Sequence, residues 1–165
     1  MNKLEVFFDY ACPYCLKGHK YLIEIMQNCT DIEIIWCPCE AHPRPDRYGP
    51  HSDLCIQGMF YAAENNINIL EYHKRIYKLI HEDRVDIENL DILAENLWDL
   101  VNTAHFITEI KNGKYLEKLK QANAYACEKS GVWAVPAYRL NEKKLNSVEN
   151  IGVTKEQLAD FVLKS

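Results

Sequence analysis

Leu4, Val6, Phe7 and Phe8 form an apolar run with only loose alternation. That pattern predicts a strand over 3–9 buried on both faces, as in the middle of a sheet. Leu16, Leu22, Ile23, Ile25 and Met26 then recur at helical spacing, fading near Asn28. Pro13 suits the first position of that helix, where its missing N–H has no partner to lose. Ile32 to Trp36 reads as a second strand, and a right-handed return beside the first makes a parallel β-α-β unit. Three prolines and a glycine make EAHPRPDRYGP, residues 40–50, a loop. Helical spacing then dominates, with helices predicted at 52–65, 69–81, 88–101, 103–111 and 114–130. Asn65-Asn66 and Asn112-Gly113 mark breaks, and Asp86 and Asn89 are plausible starts. Val132 to Leu140 predicts a strand entered through a proline turn. Asn141 to Lys144 is then a polar turn, and Leu145 to Ile151 its hairpin partner. Thr154 and Gln157 stand at capping-box spacing ahead of a last helix that buries Leu158, Phe161 and Val162. Trp36, Trp98, Cys55 and Cys127 read as core.

The order is therefore β-α-β, then about 80 helical residues, then β-β-α, an α/β class without internal repeats. One domain over 1–165 is expected. With 48% hydrophobic and 26% charged residues the chain has an ordinary globular mix. The net charge of −5 and the lack of a Lys/Arg run argue against nucleic acid or an anionic membrane surface as partner. No apolar stretch approaches the roughly 18 residues of a membrane span. The first residues carry one cation and a short apolar run broken by Glu5, so a cytoplasmic location with mostly reduced thiols is expected. The charge defines no oligomeric state.

The seven cysteines change the picture, because an odd number cannot pair completely within one chain. Cys12-Pro13-Tyr14-Cys15 falls where a strand passes into a helix. Unpaired N–H groups and the positive end of the helix dipole there favour a thiolate at Cys12. Cys15, one turn on, is placed to resolve a mixed disulfide formed at Cys12. A structural zinc half-site and a chance pair are the competing readings, though structural zinc usually needs a second pair of ligands. Pro13 stiffens the turn. Asp9 disfavours the anion where its side chain points inward. His19, four residues after Cys15, is either a proton relay or a packed histidine. Tyr10, Tyr14 and Trp133 flank the active segments and offer an apolar rim for substrate.

FFDYACPYC resembles the opening of the DsbA family, a thioredoxin-like fold with a helical insertion. KNGKYLEKLKQANAYACEKSGVWAVPAYRL resembles the family's approach to its cis-proline strand, and IGVTKEQLADFV its closing helix. The likeness spans almost the whole chain, weakest over 42–85, and the opening looks most like the FrnE-like branch. It implies thioredoxin-like parts at 1–50 and 131–165 around an insertion at 51–130. It implies a thiol-disulfide oxidoreductase with Cys12 as nucleophile and no organic cofactor. It also implies a cis Val135-Pro136 peptide facing the cysteines, with the Val135 backbone pairing with substrate as an added strand does. The best-known members have a histidine where Tyr14 stands. Tyrosine adds no cation, so the expected couple lies near glutaredoxins, about −200 to −230 mV. Substrates are protein disulfides and dithiols or small thiols, glutathione among them.

Cys37-Pro38-Cys39 ends the second strand, with both thiols on one face. The pair admits four readings: packed thiols, a second dithiol, a peroxide-sensitive site, or metal ligation with His42 or His51. Two other functions therefore stand beside the first. One is a metal-binding or redox-sensing module built on Cys37 and Cys39. The other is a glutathione-dependent isomerase or transferase of the DsbA fold, whose members carry serine at the position of Cys12.

Overall fold

A computed structural model describes residues 1–164 of the chain. Strands β1 (Asn2–Phe8) and β2 (Ile32–Pro38) pair in parallel, with Asn2 opposite Ile32 and Phe8 opposite Pro38. Helix α1 (Pro13–Met26) makes the crossover between them. On its other side β1 pairs antiparallel with β3 (Ala137–Leu140), which pairs with β4 (Lys143–Leu145), giving the order β2-β1-β3-β4. Helices α2 (Asp53–Glu64), α3 (Ile69–His81), α4 (Leu90–Glu95), α5 (Thr103–Lys111) and α6 (Leu116–Ala124) lie between β2 and β3. A π-helical segment, Tyr125–Lys129, continues α6. Helix α7 (Lys155–Leu163) closes the chain with the expected capping box, Thr154 Oγ1 accepting from Gln157 N–H at 3.1 Å.

Central position explains the composition of β1. Leu4, Val6 and Phe8 face a large core shared with Leu22 and Ile25 of α1, Leu158 and Val162 of α7, and the inserted helices. Phe7 points the other way, into a small cluster with Cys39, Ala126, Val132 and Ala137. Each fully buried side chain of this size contributes about 2–3 kcal/mol. The π-helical segment covers this second face. Tyr125 stacks on Phe7 at 5.8 Å, and its hydroxyl donates to the Glu5 carboxylate.

Several sequence expectations are corrected. The helix expected at 88–101 stops at Glu95, because the Asn96 side chain donates to the Ile92 carbonyl at 2.9 Å and turns the chain. Leu97 and Val101 then turn inward while Trp98 stands 74% exposed, outside the core. The helix expected at 114–130 is α only to Ala124, and the π register leaves Cys127 exposed rather than buried. Extended pairing in the segment 132–140 begins only at Ala137, after the prolyl turn. The hairpin turn is tighter than expected, with Asn141 at φ 56°, so the returning strand is Lys143–Leu145 and not 145–151.

Candidate active site

The end of β1 delivers Asp9, Tyr10 and Ala11 to the N-terminus of α1. Cys12 is the N-cap of that helix, extended at φ −82° and ψ 121°, with Pro13 in the first turn. Its carbonyl accepts from Cys15 N–H at 3.1 Å and Leu16 N–H at 3.2 Å. The Cys12 side chain is partly open, and its Sγ lies 3.7 Å from the Val135 carbonyl. The Val135–Pro136 peptide is cis. Cys15 is buried, and its sulfur accepts from Asp9 N–H at 3.5 Å. Both cysteines are thiols.

These surroundings separate the two thiols chemically. A hydrogen bond from Cys15, helped by the backbone N–H groups of Cys15 and Tyr14, lowers Cys12 from 9.0 to about 7, against burial and the charge of Asp9. Burial pushes Cys15 well above its ordinary value, and its hydrogen bond to Cys12 and the Cys12 charge push the same way. At neutral pH the open thiol is the one that ionises.

Asp9 does point inward and is 4% exposed. Its carboxylate accepts from Ala11 N–H at 2.9 Å and Ala41 N–H at 2.7 Å, tying the active turn to the chain beyond β2. Pro13 is exposed at the start of α1. Tyr14 reaches away from the sulfurs, its hydroxyl donating to the Asn150 carbonyl at 3.0 Å. Its ring packs where Gly152, at φ 78°, has no side chain. Trp133 is 85% exposed on the rim. Tyr10 is not on the rim: it is fully buried and its hydroxyl pairs with His73 Nδ1 at 2.7 Å. His19 packs among Trp36, His73 and Tyr77 on the core side of α1, and burial lowers it to about 4. It is a packed histidine and does not line the cleft around Cys12.

That cleft has a volume of about 840 Å³ and runs from Cys12 and Tyr14 past Val135 to Trp133, Tyr48 and Cys39. Sequence reasoning missed part of its wall. Glu40 and Asn123 exchange two hydrogen bonds of 2.8 Å across it, and the Ser147 hydroxyl donates to the Pro136 carbonyl. Asn150 and Gly152, both at positive φ, carried a turn signature that was legible; Glu40 and Asn123 carried none.

Cys37 and Cys39 do share a face, packed around Phe7 and Val132. Burial first, and nearby carboxylates next, push both up to about 12, which keeps them protonated. The histidines weighed as metal ligands are turned elsewhere. His42 Nδ1 meets Asp46 at 3.1 Å, and His51 meets Glu88 at 2.7 Å and the Asp46 carbonyl at 2.8 Å. Among the described residues no three His, Cys, Asp or Glu side chains converge as a metal site.

Residues 3–159 match the DSBA-like thioredoxin domain. The chain belongs to this family. It is 22% identical to the uncharacterised protein YwbO of Bacillus subtilis, a match covering 95% of this chain and 96% of that protein. Its fold superposes on a probable DsbA oxidoreductase from Streptomyces coelicolor with TM-score 0.83, at 11% identity, over 99% of this chain and 89% of the other. A 2-hydroxychromene-2-carboxylate isomerase has the same fold, with TM-score 0.74 at 12% identity, over 98% and 92% of the two chains. No helix among the described residues of this DsbA-like chain is long and apolar enough to cross a membrane.

Proposed function

We propose that this DsbA-like protein is a thiol-disulfide oxidoreductase. The observation that carries the reading is the division of the pair: Cys12 is partly open and lowered to about 7, while Cys15 is buried and held protonated beside it. The Cys12 thiolate attacks one sulfur of a substrate disulfide, and the other sulfur leaves as a thiolate that takes a proton from solvent. Cys12 is then uncharged, so one of the influences that hold the Cys15 proton is gone. Cys15 gives up its proton to solvent and its thiolate attacks the Cys12 sulfur, forming the intramolecular disulfide and expelling the second substrate sulfur as a thiolate that takes up a proton. The reverse sequence oxidises a dithiol.

Val135 stands beside the reacting sulfur, a suitable place for a substrate backbone, with Trp133 and Tyr14 along the same wall. No organic cofactor enters these steps. Tyr14 spends its hydroxyl on Asn150 and brings no cation to Cys12, which supports a couple near −200 to −230 mV, roughly the glutaredoxin range. The likeness to an isomerase of the same fold is outweighed by the intact cysteine pair. Dithiothreitol-driven reduction of insulin disulfides tests the reading. The wild type should turn over and Cys12→Ser should not. Equal rates in the two proteins, or none in either, would overturn it.

A further inference from the structure

The charge of the cleft wall is one-sided. Asp9, Glu40 and Glu149 line it, and no lysine or arginine does. Arg47, beside Tyr48, is exposed but does not line the wall, and two other nearby cations are engaged elsewhere. Arg44 is occupied by Asp53 at 3.3 Å and Glu88 at 2.9 Å, and Lys17 sits over the Tyr14 ring at 5.9 Å. Arg84 lines a neighbouring depression that meets the cleft at Ala11, Pro13 and Pro50. His42, the one basic-type side chain on the wall, pairs with Asp46. Interleaved with the carboxylates is an apolar rim, with Trp133 85%, Tyr48 72% and Val148 51% exposed.

Resting on the oxidoreductase reading, we infer that the Cys12 cleft selects apolar, cationic cysteine-bearing peptides and discriminates against anionic thiols and disulfides such as glutathione. A cleft lined by one sign of charge, with low-dielectric walls, focuses its field on whatever approaches the reacting sulfur. Oxidised glutathione carries more carboxylates than ammonium groups, and no lining side chain here receives them. A peptide with lysine beside its cysteine meets Glu40 and Glu149, while its apolar side chains cover Trp133 and Tyr48. Charge of this kind acts mainly on encounter rate and specificity. The selection operates on the first step, attack of the Cys12 thiolate on the incoming disulfide.

The test uses the reduced protein at pH 8 and two end-blocked peptide disulfides, identical except for lysine or glutamate on both sides of the cysteine. Each rate of enzyme oxidation is divided by the rate of the same peptide with dithiothreitol, which removes intrinsic disulfide reactivity. At low salt the lysine peptide should be favoured by about tenfold. That preference should shrink in about 0.5 M sodium chloride and in the Glu40→Gln, Glu149→Gln double variant. Oxidised glutathione, normalised in the same way, should resemble the glutamate peptide. Equal normalised rates for the two peptides, or a salt-independent ratio, would overturn the inference while leaving the oxidoreductase reading intact. Reaction of neither peptide at Cys12 would overturn both.

Discussion

Cys15→Ala isolates the interaction that activates Cys12. The thiol hydrogen bond from Cys15 is the largest influence lowering Cys12 from 9.0 to about 7, ahead of the two backbone N–H groups. That displacement corresponds to about 2–3 kcal/mol in favour of the thiolate, reduced by solvent screening at a partly open side chain. Removing the donor while leaving the helix terminus should raise the Cys12 midpoint by about one pH unit or more. At pH 7 roughly half of wild-type Cys12 is then thiolate, against about a tenth in the variant. The assay is the pH profile of iodoacetamide alkylation, read by mass spectrometry on the peptide containing Cys12, because Cys127 is also exposed. Cys15→Ser retains a hydroxyl donor and should titrate between the two. The sign also fixes a stability effect. A midpoint lowered on folding stabilises the reduced protein fully above about 9, and this contribution is lost as pH falls through 7. Coincident profiles for wild type and Cys15→Ala would refute the reasoning and shift the activation to the helix terminus alone.

Gly152→Ala places a Cβ at 3.1–3.3 Å from three Tyr14 atoms at φ 78°, and should cost about 1–3 kcal/mol. Each kcal/mol lowers Tm by about 2–4 °C in a chain of this length, so an unchanged melting curve would contradict the packing described for Tyr14. His19 is lowered to about 4 and His73 well below its ordinary value by burial, so the unfolded chain binds more protons between about pH 4 and 6.5. Stability should fall as pH falls through that window, by up to about 1.4 kcal/mol per pH unit for each histidine. His19→Phe should flatten the slope in urea titrations, and an unaltered slope would show that His19 is not buried in neutral form. Cys37 and Cys39, pushed up to about 12, should alkylate at least about 100-fold more slowly than Cys12 in the native reduced protein at pH 7.5. Labelling of Cys39 at the rate of Cys12 would restore the second-dithiol reading.

Local signals carried much of this architecture into the sequence. Helices α2, α3 and α5 begin and end within about two residues of the positions their periodicity and caps predict, and α7 begins at its predicted cap. The expectation for β1 held because a strand buried on both faces cannot hide its composition. Expectations failed where a tertiary contact overrode a local pattern. Trp98 matched a helical face, but the Asn96 side chain ended α4 before that face was completed. Cys127 fell within a helix expected to run to 130, but the segment turns π after Ala124, where Tyr125 contacts Phe7 and Glu5. Tyr10 sits beside the active turn in sequence, yet its hydroxyl has a buried partner, His73, contributed by α3.

The same distinction divides the site itself. Reactivity at Cys12 is set within a few residues: the helix terminus, Cys15 and Asp9. It was therefore legible from one short stretch. Selectivity is set by a wall whose members come from the loop after β2, the end of α6 and the turn before α7, and whose charges have no pattern along the chain. Asp9 belongs to both levels. Its charge opposes the Cys12 thiolate, while its two backbone hydrogen bonds hold the Ala41 segment, and with it Glu40, against the active turn. Asp9→Asn should thus act in two opposed directions, lowering the Cys12 midpoint by removing a charge and loosening the cleft by replacing an acceptor with an amide donor. A variant with a lower midpoint but a weaker preference for the lysine peptide would show that reactivity and selection are separable properties of one buried carboxylate. A variant in which both properties stay as in the wild type would remove Asp9 from each.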